Sequence, residues 1–437
     1  MRGAIAQHDM AHMAHMAAGV PAPLALDIPL SRLGSGTSWL PDASPMRSID
    51  WMAGRWMLMA HGSIFGQFDE QTGLRGDNQL GIADHEMLMA LRSLAGGALR
   101  LSAMTSVESF VLGDRGYPEL LQTGGVYRSA RIVNRQHPDD PLMELAASYE
   151  RSLIPGFAVQ VYAGPIGEPA LGPVTYMDRP SAAVDPFAPL GHHWQDASHD
   201  AIGVATVGLF TRFAKLEASV FNGRESPEDS SFLSRFRRLR LDSYSARLSV
   251  APNPHLVGST WAGYVYGHDP LDPNVGMQRY GAALNAATGR VSTAVVWGLM
   301  IHHHGAREHF HPATDTSTAP PSYHLAGSEL IETTFDATPR TSLYARVERV
   351  QKTADDLGFL GGDLMQLFTI RDVAVGATHD VMLLGPTSAS IGARLSVELL
   401  PETLRLDYRT RRPMGFAVFV RLRPRLAPRV RPSRLDQ

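Results

Sequence analysis

The chain has 437 residues, of which 44% are apolar and 19% charged, and its formal net charge is −3. A nearly neutral chain has no general attraction to nucleic acid, so we expect no nucleic-acid partner. The absence of cysteine excludes disulfides, thiolate zinc sites and cysteine nucleophiles. No run reaches the roughly 18–20 apolar residues that a membrane helix needs, which excludes a helical membrane protein.

The chain opens with alternating histidine and methionine. The string "AIA" before Gln7 has the form that signal peptidase cleaves, so we predict an exported protein whose signal peptide is truncated before Gln7. The alternative is a chance resemblance, because six residues cannot hold the charged and apolar regions of a signal peptide. Imidazole and thioether ligands favour soft or borderline ions such as Cu(I) and Ag(I). We therefore consider copper or another soft metal as the one candidate cofactor; the alternative is a disordered tail with no ligand. The candidate ligands are His8, Met10, His12, Met13, His15 and Met16.

Residues 1–50 are rich in proline and lack sustained periodicity, which predicts a flexible N-terminal arm. From Trp51 onward, stretches of about ten residues alternate large apolar with small or polar side chains. In 391–399, for example, Ile391 and Leu395 fall on one face, and Arg394 and Glu398 on the other. Side chains of a strand alternate between its two faces, so each stretch predicts a strand with one apolar and one polar side. About sixteen such stretches lie between residues 56 and 422.

The links between these stretches differ in length according to their order. Links after even-numbered strands are short, as in "RSLIPG" and "ATG", whereas links after odd-numbered strands are long, as in 112–141 and 164–197. Outer-membrane barrels have short periplasmic turns and long outer loops, whereas a pair of soluble sandwiches has no reason to sort its loops. We therefore predict an all-β fold: a transmembrane antiparallel barrel of about 14–16 strands over 51–423, with a basic tail over 424–437.

Several segments resemble a group of outer-membrane barrel proteins of Gram-negative bacteria that lack an established activity. Asp139 stands where that group usually has a second histidine after His137. The resemblance implies an outer-membrane location and a barrel architecture, and the opening tract is similar in composition to copper-resistance proteins of the outer membrane. The matching segments are "GTSWLPDASPM", "WMLMAHG", "RQHPDDPLMELAASY", "VYAGPIGEPALGPV", "GHHWQDASH" and "ASVFNGRESPED".

Two further histidine clusters are candidate metal sites. In "GHHWQDASH", imidazole and carboxylate groups would suit Zn(II) or Cu(II), and the alternative is a packed polar loop. In "IHHHGAREHFH", which we expect in an exposed outer loop, the imidazoles could collect divalent metal, and the alternative is a solvated loop. The candidate ligands are His192, His193, Asp196 and His199 in the first cluster, and His302, His303, His304, His309 and His311 in the second.

Charged residues on the polar faces are candidates for the lining of a pore. Their mixed signs leave two interpretations: they filter solutes in an open channel, or they pair as struts across a closed barrel. These candidates are Arg247, Arg346, Glu348, Arg394 and Glu398.

Three functions remain open at this stage. The first is an outer-membrane porin-like channel that passes small solutes or ions, with or without a link to the handling of copper or another soft metal. Lipid and lipopolysaccharide would be its surroundings. The second is an outer-membrane enzyme that acts on lipid or lipopolysaccharide; since no nucleophile motif is present, we expect no enzymatic activity. The third is a closed barrel in which the long link 164–197 fills the lumen. The sequence does not predict the oligomeric state.

Overall fold

The computed structural model describes residues 24–196, 198–304 and 322–426. Nineteen strands form a seventeen-stranded sheet and a separate hairpin, β5–β6. The strands are β1 Ile49–Ala53, β2 Trp56–Gln71, β3 Asn78–Leu94, β4 Gly97–Thr105, β5 Tyr117–Tyr127, β6 Ala130–Gln136, β7 Glu144–Ile154, β8 Phe157–Gly167, β9 Ala201–Phe210, β10 Ala214–Asn222, β11 Ser243–Asn253, β12 Leu256–Tyr266, β13 Gly276–Ala287, β14 Val291–His304, β15 Ser322–Thr338, β16 Thr341–Thr353, β17 Leu367–Leu384, β18 Thr387–Leu399 and β19 Met414–Pro424.

The large sheet closes into a barrel. Each strand pairs antiparallel with the next, and β19 returns to β2 from Gly415 opposite Gln71 to Leu422 opposite Ile64. Sixteen strands form this closed wall, while β1 is a short addition that pairs with the first residues of β2. Closure leaves no long unpaired edge strand, so the sheet offers no long edge on which a second chain could pair and aggregate. The predicted all-β barrel of about 14–16 strands is confirmed.

The helices are all short. The α-helices are Glu108–Val111, His192–Gln195 and Arg405–Tyr408, and the 3₁₀ helices are Ala25–Asp27, Leu30–Arg32, Tyr176–Asp178, Phe232–Arg238 and Glu402–Leu404. Within the described ranges, no helix has both the length and the apolar composition that crossing a bilayer requires.

The two ends of the barrel differ as the spacing predicts. Seven links of two or three residues lie at one end, which we call the turn end; examples are 155–156 and 211–213. The links at the opposite loop end are longer, and two of them, 106–143 and 168–200, exceed thirty residues. The chain enters β2 and leaves β19 at the turn end.

Alternation along each strand separates an apolar outside from a polar inside. In β16, Leu343 and Val347 are 45% and 49% exposed and point outward, whereas Arg346 and Glu348 are buried and point inward. Glu329 interrupts the apolar set of β15, and the structure shows why it is tolerated there. It pairs on the outer surface with Arg349 of β16 at 2.8 Å.

Besides the largely buried hairpin β5–β6, whose Leu121 carbonyl oxygen accepts from Lys352 of β16, two segments fill the barrel. Residues 24–48, which the sequence assigned to a flexible arm, pack across the turn end. There the guanidinium of Arg32 donates to the carbonyl oxygen of Arg212 at 2.5 Å. The backbone N–H of Ala43 donates to the carbonyl oxygen of Pro254 at 2.9 Å. These bonds satisfy backbone groups of two tight turns, which is why a proline-rich segment can be ordered here. The second segment is the link 168–200, called here the insertion, which folds into the lumen and is almost entirely buried.

Candidate functional site

The five charged residues singled out as pore-lining all point into the barrel. Each is at most 5% exposed, and the insertion or the N-terminal segment contacts four of them. The described geometry differs from both interpretations in one respect: within the described residues no ion pair joins two of the five, and their partners lie mainly in internal segments and on neighbouring strands. Whether any of them contacts a passing solute stays a prediction.

Three of these residues hold the insertion. Arg346 donates to the carbonyl oxygen of Phe187 at 2.8 Å, and Arg394 lies 4.4 Å from the centre of the Phe187 ring. The carboxylate of Glu348 accepts the backbone N–H groups of Leu190 and Gly191, each at 3.1 Å. Wall side chains therefore supply the hydrogen bonds that the irregular backbone of the insertion needs inside the barrel.

A buried carboxylate joins the insertion to the wall. Glu332 of β15 accepts from Arg179 of the insertion at 2.7 Å and from Arg346 of β16 at 3.2 Å. Arg179 also contacts Asp196 at 3.3 Å. Sequence reasoning missed Glu332 and Arg179, because neither belongs to a local motif and their pairing spans 153 residues.

The other two residues lie elsewhere in the lumen. Arg247 of β11 donates to Glu217 and to the hydroxyl of Thr37, both at 3.1 Å, and thereby ties the N-terminal segment to the wall. Glu398 of β18 accepts from the hydroxyl of Ser396 at 3.2 Å. Within the described residues, its carboxylate makes no hydrogen bond to the insertion.

Three cavities lie in series, and the first two of them run along the inner face of β2 and β3. A turn-end cavity of about 120 Å³ lies beside His61 and His85 of these strands. A narrow cavity of about 20 Å³ follows, and it shares His85, Met177 and Ala183 with the first. A third cavity of about 270 Å³, called here the vestibule, lies among the long loops and shares Asp139 with the narrow cavity. The series therefore reaches from the turn end to the loop end.

The vestibule is lined by carboxyl groups and imidazoles. Burial raises the pKa of Glu228 to about 9, and the neighbouring carboxylates of Glu225 and Asp200 add to the shift. Burial likewise raises the pKa of Asp139 to about 8 and lowers the pKa of His137 to about 3. Near neutral pH these acids hold protons and this imidazole is neutral, so the vestibule carries less charge than its composition suggests.

The cluster from His192 to His199 lies beside the vestibule, but its donors do not converge on an ion. The Nδ1 atom of His192 is 2.5 Å from one carboxylate oxygen of Asp196, and the other oxygen accepts from the backbone of Tyr176 and from Arg179. His199 is turned to the carbonyl oxygen of Asp196. His193 is 5% exposed and lines the vestibule, and no hydrogen-bond partner of its ring lies in the described part of the chain. The predicted ion between His193 and Asp196 is not supported, because Asp196 is already engaged.

Three residues of the second histidine cluster lie in a strand and not in the exposed loop that the sequence suggested. His302, His303 and His304 belong to β14, whose alternation points His302 inward and His303 outward, so these two cannot share an ion. His302 packs against His324 across the strand pair, with ring centres 5.4 Å apart. In the ranges that the structure covers, no three His, Asp or Glu side chains are grouped to hold a metal ion.

The remaining predicted ligands lie outside the described residues. They are His309 and His311 and the whole opening tract: His8, Met10, His12, Met13, His15 and Met16. The metal-binding interpretation of these residues stays a prediction.

Solved structures of bacterial outer-membrane proteins are similar to this barrel. OmpF of Salmonella typhi, solved in complex with daunomycin, matches with a TM-score of 0.51 at 9% sequence identity, over 86% of this chain and 100% of that chain. The fold is that of an outer-membrane porin. Weaker matches are a loop-deletion mutant of OmpT of Vibrio cholerae (TM-score 0.48, 11% identity, 84% of this chain and 99% of that chain) and the anion-selective porin of Comamonas acidovorans (0.45, 10%, 84% and 99%).

The likeness to porins concerns the fold alone at this level of identity. No family model matches the sequence, and no match was found among curated proteins. The function of this porin-like barrel must therefore be argued from its own residues.

Proposed function

We propose that this protein is an outer-membrane channel that passes small solutes or ions along the inner face of β2 and β3. The observation that carries the proposal is the series of three cavities, which share lining residues from the turn end to the loop end. A purely structural barrel would gain stability by filling such spaces, because each unfilled void costs packing energy.

The path is narrow and runs between the barrel wall and the insertion. Its middle section is the narrow cavity, which has room for roughly one water molecule. On one side lie strands of the barrel wall, and on the other side lies the insertion, which is held by Glu332, Arg346 and Glu348. Movement of the insertion would widen the path, so we propose that the insertion sets the size limit for solutes.

The outer surface supports a location in the outer membrane. Outward positions of the strands carry exposed apolar side chains, such as Val375 at 50%, Leu395 at 48% and Val418 at 42%. Such a surface is unfavourable in water and favourable in lipid. Lipid and lipopolysaccharide would then be its surroundings.

A liposome-swelling assay with the full chain tests the proposal. We expect salts of small ions to enter proteoliposomes and cause swelling, and all sugars to be excluded by the narrow cavity of about 20 Å³. The variant Ala183→Trp, which fills that cavity, should abolish swelling. The matched variant Ala345→Trp places the same ring on the outer surface and should swell like the wild type. Absence of swelling for all solutes would favour a closed binding barrel, and the proposal would then be wrong.

A further inference from the structure

Methionine and histidine side chains are concentrated on one patch of the inner wall. The register pairs Met59 of β2 with Met89 of β3, and His61 of β2 with Met87 of β3. Directly opposed side chains in an antiparallel pair have Cβ atoms about 4.5–5.5 Å apart, so these four side chains are neighbours. Met59, Met87 and Met89 are each at most 7% exposed, which places their thioethers inside the barrel.

These side chains surround a fourth cavity. It has a volume of about 110 Å³, and its lining includes Met46, Met59, His61, Met87 and Met89. We call it the methionine cavity. It adjoins the turn-end cavity of the proposed path, with which it shares His61 and Asp178. Leucine would fill a hydrophobic core equally well, so packing alone does not require this concentration of sulfur.

A carboxylate at the edge of the cavity adds negative charge. Asp178 of the insertion lines the methionine cavity, and its Oδ2 atom is buried with no hydrogen-bond partner among the residues described. Burial raises the pKa of Asp178 to about 7, so a cation held nearby would stabilise its ionised form. Arg47 also lines the cavity, and one acid with one base leaves little net charge there. That balance suits an ion of low charge.

We propose that the methionine cavity binds one soft monovalent metal ion, of the Cu(I) or Ag(I) class, through thioethers of Met59, Met87 and Met89 and the imidazole of His61. Thioether and imidazole donors select soft ions, whereas Na⁺, K⁺ and Mg²⁺ prefer oxygen. Within the described ranges the His61 ring makes no hydrogen bond, so a ring nitrogen is free to coordinate. The role of this ion as cargo rests on the proposed channel, but its binding does not.

The test is titration of the full chain, folded in detergent, with silver nitrate, followed by elemental analysis after dialysis. The double variant Met59→Leu/Met87→Leu conserves side-chain volume and removes two donors. We expect it to lose one bound equivalent of silver, or to bind that equivalent at least about tenfold more weakly, because even outer partners of metal ligands are worth about 10- to 100-fold in affinity. The conservative variant Asp178→Asn should weaken binding without changing the fold.

Met143→Leu is the matched control. Met143 is 1% exposed and belongs to the same hydrophobic cluster, but it does not line the methionine cavity. The tract at residues 8–16 is present in every variant, so its contribution cancels. Equal silver binding by all variants, or equal loss in Met143→Leu, would overturn the inference. Potassium conductance of the same preparations tests the channel separately. If the protein conducts potassium but binds no silver, only the proposed metal site is wrong. If it binds silver but does not conduct, only the proposed channel is wrong.

Discussion

Replacement of Glu332 by alanine is expected to lower the free energy of unfolding by about 3–5 kcal/mol, because it leaves two buried guanidinium groups without their shared carboxylate. Glu332 is 1% exposed and contacts Arg179 of the insertion and Arg346 of β16. Urea titration of the protein refolded into lipid vesicles measures the change. The loosened insertion should also raise single-channel conductance.

The same two strands provide the control for this prediction. Glu329 and Arg349 also face each other across β15 and β16, but their side chains are 42% and 38% exposed. Exposed ion pairs contribute about 0–1 kcal/mol, so Glu329→Ala should change stability little and conductance not at all. Equal costs for the two variants would show that Glu332 does not hold the insertion.

The second large effect is expected on the outer surface. Leu395→Arg should lower the free energy of unfolding from lipid by about 2–4 kcal/mol, because a charge near the bilayer midplane loses its hydration. Leu395 is 48% exposed and faces outward in the middle of β18. Urea titration in vesicles of one lipid composition is again the measurement.

Leu360→Arg is the control for the surface prediction. Leu360 is 96% exposed and lies in the long link between β16 and β17, where water should hydrate an introduced charge. Surface substitutions away from special features usually stay within about 0.5 kcal/mol. If Leu395→Arg cost no more than Leu360→Arg, the outward face of the barrel would not contact lipid.

The barrel could be predicted from the sequence because its signals are local. Alternation within each ten-residue stretch indicates which side chains face inward, and turn lengths indicate the two ends. The stretch 342–348 became β16, and its inward set, which includes Arg346 and Glu348, points into the lumen as expected. Glu329 departs from the apolar outward set of β15. The departure could not be explained from the sequence, because the Arg349 side chain that pairs with Glu329 lies on the neighbouring strand.

A lumen filled by the link 164–197 was one of the alternatives that the sequence left open, but the contacts inside the lumen could not be predicted, because they join distant parts of the chain. Arg179 meets Glu332 across 153 residues, and nothing near either residue signals the pair. The histidines of β14 were assigned to a loop because the strand extends beyond its apolar residues. The methionine cavity carried a partial signal, since Met57, Met59 and His61 alternate in the sequence. Their partners Met87 and Met89 become apparent only once the register of β2 and β3 is known.

The most direct test of the channel uses the absence of cysteine from the natural chain. In Ala183→Cys, the single thiol lies between the turn-end and narrow cavities. Planar-bilayer conductance should fall to the protein-free level when a small thiol-reactive reagent is added, and a reductant should restore it. Ala345→Cys, on the outer surface, should conduct unchanged. Conductance that persists after complete modification of Cys at position 183 would contradict a path along β2 and β3.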